Sequence, residues 1–130
     1  MRNAWKISGY YLFVISLIHS AFGLFAMQDV LRELWNEGLI GSISGQMDRN
    51  AVFWFLSWGF LLGYIGVDWQ QRIRRHKEPL SKFSAWGLAA IVVSGILIMP
   101  ASGFWLGLPL CLIMLWPHYF SKTDAKRIEH

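Results

Sequence analysis

Four long apolar runs separated by polar segments dominate the pattern of the chain. The first, residues 7–27, contains no charged side chain and a single imidazole, His19; the second, 51–67, has no ionisable side chain except Tyr64. The third and fourth, 83–99 and 104–120, contain no Asp, Glu, Lys or Arg. A helix needs about 20 apolar residues to cross the hydrocarbon of a bilayer, with a working range of roughly 17 to 25. The first two runs are long enough, and the last two sit at the short end. Inside lipid every backbone amide must pair within its own helix or within a closed barrel, and four short runs cannot close a barrel. The pattern therefore predicts an all-α membrane four-helix bundle as one domain over residues 1–130.

The polar segments carry their own signals. In the outer segment, 28–50, Val30, Leu31, Leu34 and Trp35 fall on one face while Asp29, Arg32, Glu33, Asn36 and Glu37 fall on the other. This spacing predicts a short amphipathic helix ending at Gly38. Gly41 and Gly45 then loosen the chain, and Asp48 or Asn50 is placed to cap the second span. Such a helix either rests on headgroups as a connector or folds over the bundle mouth as a lid. Pro100, Ala101, Ser102 and Gly103 form a bare turn, which makes the last two spans antiparallel neighbours. In the loop 68–82, the cations from Arg72 to Lys77 extend the second helix into the headgroups.

Composition agrees with lipid as the solvent. The chain is 55% hydrophobic and 16% aromatic, and only 15% of its residues are charged. Soluble domains carry roughly one quarter charged residues. A cleavable signal peptide is the competing reading of the first run, given Arg2 and Lys6. That run exceeds the roughly 7 to 15 apolar residues of a signal core, and no small-x-small site directly precedes the acidic segment at Asp29.

Charge sets the expected orientation. Of the 12 Lys and Arg, only Arg32 and Arg49 lie on one side; the rest fall at the N-terminus, in the loop 68–82 and at the C-terminus. Positive residues are retained inside, which predicts an inner (cytoplasmic) membrane protein with both termini cytoplasmic. The basic loop reads as a topology anchor and solvated face, with no nucleic-acid site. Indoles agree: Trp5, Trp69, Trp86 and Trp116 fall near the inner ends of the runs, Trp35, Trp54 and Trp105 near the outer ends, and Trp58 deeper. No heptad, repeat or low-complexity segment is apparent.

Few groups at depth can do chemistry: Ser16, His19, Ser20, Ser57, Trp58, Tyr64 and Ser94. Only His19 titrates near neutrality, and an ionisable residue within a span is a functional candidate because burying it is costly. The alternative is a packed, hydrogen-bonded imidazole. By helix rise His19 falls in the outer half, level with Trp54, Ser57 and Trp58, below Trp105, and within range of Glu33, Glu37 and Asp48 from the outer segment. Gly59 with Gly63, Gly103 with Gly107, and Ser16 with Ser20 are small-xxx-small pairs, suited to packing within the chain or to a homodimer face.

Several chemistries are set aside. Cys111 is alone, so no thiol–disulfide pair exists. His19, His76, His118 and His130 do not supply two imidazoles at one depth for haem, and no metal or phosphate motif occurs; no cofactor is expected. The small multidrug exporters share the length and span count but couple through a first-span carboxylate, which is absent here. His19, the run Phe53, Trp54, Phe55 with Trp58 and Gly59, and the stretch from Pro100 through Trp105 to Leu106 resemble an uncharacterised family of small four-span bacterial membrane proteins. The resemblance covers most of the chain and implies no activity.

Three functions are consistent with these residues. One is binding of a membrane lipid or lipophilic small molecule in an outward-facing aromatic cavity, with His19, Ser57, Trp54, Trp58 and Trp105 as ligand contacts. Another is a small membrane enzyme using His19 as acid or base with Glu33, Glu37 or Asp48. The last is proton-coupled transport through His19.

Overall fold

A computed structural model of the chain describes residues 3–38, 41, 43 and 45–120. The described residues form five α-helices and two 3-10 turns and contain no strand. They are α1 (Ser8–Ala26), α2 (Gln28–Glu37), α3 (Met47–His76), α4 (Lys82–Ile98) and α5 (Gly107–Tyr119), with 3-10 turns at Ala4–Ile7 and Gly103–Leu106. Two helical stretches, Ala4–Ala26 and Met47–His76, are long and apolar enough to cross a membrane; Lys82–Ile98 and Gly103–Tyr119 are apolar but shorter. At 30 residues, α3 is about 45 Å long and carries its basic end beyond the apolar run. It stops where Lys77 turns left-handed, with φ 54°, and returns its N–H to Ile73 O. Such a left-handed residue is a common way to end a helix.

The dominant interface is the antiparallel pair α1–α3, and it is built from close backbone approach. A Cβ on Gly9 would stand 2.5 Å from both Gln70 N and Gly66 O, and one on Gly66 would stand 2.8 Å from Phe13 N. Farther out, Gly63 receives Ser16 and Gly59 receives Ser20 in the same way. Buried positions on α3 are Arg49, Val52, Gly59, Gly63, Gly66, Gln70 and Ile73; on α1 they include Gly9, Leu12, Ser16 and Gly23. Steps of three, four and seven residues run through both sets. This is heptad spacing, contrary to the sequence reading, and it escaped that reading because its members are glycine, serine and polar residues rather than Leu or Ile.

Gln70 locks the end of this pair that carries Lys6 and the arginines of α3, called its inner end, the opposite end being the outer one. Regular α-helical bonding begins at Ser8, and the Lys6 carbonyl and the Tyr10 amide are bridged by the Gln70 side chain. Its Nε2 donates to Lys6 O (2.9 Å), and its Oε1 accepts from Tyr10 N (3.1 Å). A buried primary amide with both ends satisfied here replaces one rung of the helix ladder.

The second unit is the hairpin α4–α5. Ser81 caps α4, its hydroxyl accepting from Ser84 N (3.1 Å), as favoured at a helix start. The Phe104 ring lies against Gly95, and a Cβ on Gly107 would meet Val92 Cγ2 at 2.5 Å. His118 Nε2 donates to Leu80 O (2.8 Å), and Trp86 Nε1 donates to the Tyr119 hydroxyl (3.1 Å). Leu12, Ile73, Leu80, Ala85, Leu110 and Met114 form the buried core where the hairpin meets the pair. The main contacts run in the order α3, α1, α5, α4, so α1 is the central helix.

The hairpin is staggered toward the inner end. Tyr11 Oη donates to Leu106 O (3.3 Å), which sets the start of the final segment beside the first turn of α1. Tyr11 lies about 22 Å of helix rise below Ala26. The short turn Gly103–Leu106 regains only about 8 Å of that. The outer half of the α1–α3 pair therefore stands clear of α4 and α5.

A side chain forced between backbones should cost far more than one added in open space. Gly66→Val is expected to destabilise the protein by about 1–3 kcal/mol or more. Gly87→Ala, with nothing within 4 Å of its Cβ, is expected to be neutral or slightly stabilising. Thermal unfolding in detergent compares the two.

Candidate functional site

His19 sits where the two long helices leave the hairpin behind. Its imidazole is half-buried and stacks on Phe55, with ring centroids 3.9 Å apart and planes 10° apart. Nε2 lies 3.0 Å from Phe55 O. A carbonyl only accepts, so Nε2 carries the proton and donates. In the neutral ring Nδ1 is then left as an acceptor. Gly23, one turn farther out, makes room for the Phe55 ring: a Cβ there would stand 2.6 Å from Phe55 Cδ1.

Helix periodicity shows what shares this face. On α3, Trp69, Ile65 and Leu62 pack against the core that the hairpin shares, and Trp58, Phe55 and Trp54 continue that stripe outward at helical spacing. On α1, Tyr11 and Leu12 meet the same core, and Ile15, His19 and Phe22 continue from them in the same way. Above the hairpin tip both stripes are uncovered: Phe22 is 63% exposed, Trp54 62% and Trp58 51%. Outward of the hairpin tip this flank therefore presents exposed aromatic side chains beside one imidazole. At that tip Trp105 Nε1 donates to Pro100 O (2.8 Å). His19, Trp54 and Trp58 thus belong to one flank, with Trp105 on the neighbouring tip. Ser57, two residues from Phe55, is on the opposite side of α3.

The outer carboxylates go elsewhere. Arg49, the buried cation opening α3, has a side chain only 5% exposed; its Nη1 donates to Glu37 Oε2 (2.6 Å) and its Nη2 lies 3.8 Å from Glu33 Oε2. Asp48 Oδ1 accepts from Arg49 N (2.9 Å). These contacts, with buried Leu34, pin α2 onto the outer end of α3. Arg49 lies about 9 Å of helix rise beyond Phe55. Among the described residues no hydrogen bond or ion pair links Glu33, Glu37 or Asp48 to His19. Sequence reasoning missed Arg49 and the Phe55 carbonyl. The available signal for Arg49 was its place as one of two outer cations, with Glu33 and Glu37 on the segment just before it. Among the described residues no group of three or more His, Cys, Asp or Glu is placed to hold a metal ion.

The Arg49 guanidinium, donating to its carboxylate, holds Glu37 below the ordinary glutamate value of 4.5. A depressed carboxylate adds stability that is present above its unfolded pKa and lost as pH falls through the folded one. Attachment of α2 is therefore expected to weaken only on acidification below about 4.5. Faster amide exchange over α2 reads this out, and Glu37→Gln is expected to remove the pH dependence. His19→Phe, which keeps a ring against Phe55 but removes the donor, is expected to lower the unfolding temperature by an amount equivalent to about 1 kcal/mol.

No curated protein and no solved structure matches the chain. A model of the family described as a family of unknown function, DUF6463, matches residues 3–121. Because that match takes in both long helices, the hairpin and the His19 flank, the chain belongs to this family.

Proposed function

We propose that this chain is a non-catalytic protein of the inner (cytoplasmic) membrane, with four embedded helical segments and both termini on the cytoplasmic side. Its function is to bind a lipid or similar lipophilic molecule in a recess on the His19 flank, outward of the hairpin tip. The observation that carries the reading is the flank on which Trp54 and Trp58 stand exposed beside the half-buried His19–Phe55 stack, outward of the hairpin tip. Recesses of mainly apolar lining with a few polar groups suit such ligands. Acyl chains fill the space at this depth, the indoles offer flat apolar walls, and the His19 imidazole supplies a polar handle. The hairpin enters from the same side as both termini, in keeping with the concentration of Lys and Arg there. Engagement of Glu33 and Glu37 by Arg49 favours binding over acid–base catalysis, since it leaves the imidazole without a carboxylate partner among the described residues.

The test is the lipid that accompanies the protein through purification in mild detergent, identified and quantified by mass spectrometry. Trp58→Ala and His19→Ala are each expected to lower retention of the bound species severalfold. Phe83→Ala, at an exposed position near the inner end of α4, is expected to leave it unchanged. An identical lipid profile in the wild type and all three variants overturns the reading.

A further inference from the structure

The opposite flank of the α1–α3 pair, away from the hairpin, carries a second feature. Where Gly9 and Gly66 bring the backbones together, a shallow furrow runs between the helices, with Phe13 and Leu17 on the α1 side and Phe60 and Val67 on the α3 side. These four side chains are all exposed, Phe60 to 75%. At the inner end of the furrow stand Tyr10, 47% exposed, and Arg74, whose guanidinium carbon lies 5.6 Å from the Tyr10 ring centroid. The cation–π contact sets the guanidinium beside the Tyr10 ring at the mouth of the furrow. Arg75 and Lys77 follow on the same helix end, whereas Arg72 is engaged by Asp68 at 3.4 Å.

We propose that this furrow is a binding site for one anionic phospholipid of the inner leaflet, with its phosphate on Arg74 and one acyl chain between Phe13 and Phe60. Charge complementarity selects the occupant. The described cations at this end are Lys6, Arg72, Arg74, Arg75, Lys77 and Lys82, opposed by Asp68 and Glu78. A guanidinium pairs with phosphate oxygens through a planar fork of donors, and juxtamembrane cations attract anionic headgroups. The chain-lining residues lie outward of Arg74 along α3, the direction in which an acyl chain leaves its headgroup at this face. The inference rests on the membrane setting proposed above and not on the recess around His19.

Native mass spectrometry of the detergent-solubilised full chain, titrated with phosphatidylglycerol and separately with phosphatidylcholine, tests it. One phosphatidylglycerol is expected to bind in preference to phosphatidylcholine. Arg74→Gln is expected to weaken it about fivefold, equivalent to about 1 kcal/mol. Tyr10→Ala is expected to weaken it in the same direction. Lys82→Gln removes the same charge from the hairpin, where Lys82 lies 5.3 Å from the Tyr119 ring centroid, and is expected to leave the affinity unchanged. Equal binding of the two lipids, or equal losses in Arg74→Gln and Lys82→Gln, overturns the site and leaves only a diffuse charge effect. Failure of the recess is read from the lipid retained by Trp58→Ala and His19→Ala, and failure of the furrow from the Arg74→Gln titration, so the two are separately visible. A folded Arg74→Gln protein, checked by its unfolding temperature, that binds phosphatidylglycerol as tightly as wild type also overturns it.

Discussion

The architecture depends on how closely α1 and α3 approach. With glycines at 9, 59, 63 and 66, the two backbones meet with little side chain between them. Dispersion contacts between the backbones then act along the whole length of the seam. Everything else is placed relative to that seam. The hairpin leans on its inner end, α2 is pinned across its outer end, and the two flanks on either side of it carry the aromatic recess and the Arg74 furrow.

Both ends of the seam are closed by polar side chains whose bonds are directional. Gln70 at the inner end takes over one rung of the helix ladder, and Arg49 at the outer end gathers Glu33 and Glu37. Small residues alone permit sliding, because glycine surfaces are smooth. The Gln70 amide fixes the register of α1 on α3 and the Arg49 guanidinium that of α2 on α3, since displacement by one residue would leave buried polar groups without their partners.

How much of this was legible in the sequence follows from the kind of signal each element left. Solvent preference is written in composition, so the all-helical character, the amphipathic helix stopping at Gly38 and the run of α3 into its arginines could be read directly. Register and stagger are not written there. Nothing in the apolar runs says that Leu106 stands beside Tyr11, because one apolar surface accommodates Leu as well as another. His19 was legible as the one imidazole within the first apolar run, but a backbone carbonyl as its partner was not, since every residue has one. Gln70 and Arg49 were hidden by lying at the edges of apolar runs, where a polar residue reads as loop.

The order of the helices in space has a bearing on biosynthesis. The central helix, α1, leaves the ribosome ahead of the other described helices, and its tightest partner, α3, is complete at His76, before any of the hairpin has been translated. The nascent chain can thus close its most demanding interface early, and the short α5, with α4 packed on it, arrives to find a finished wall to lean on.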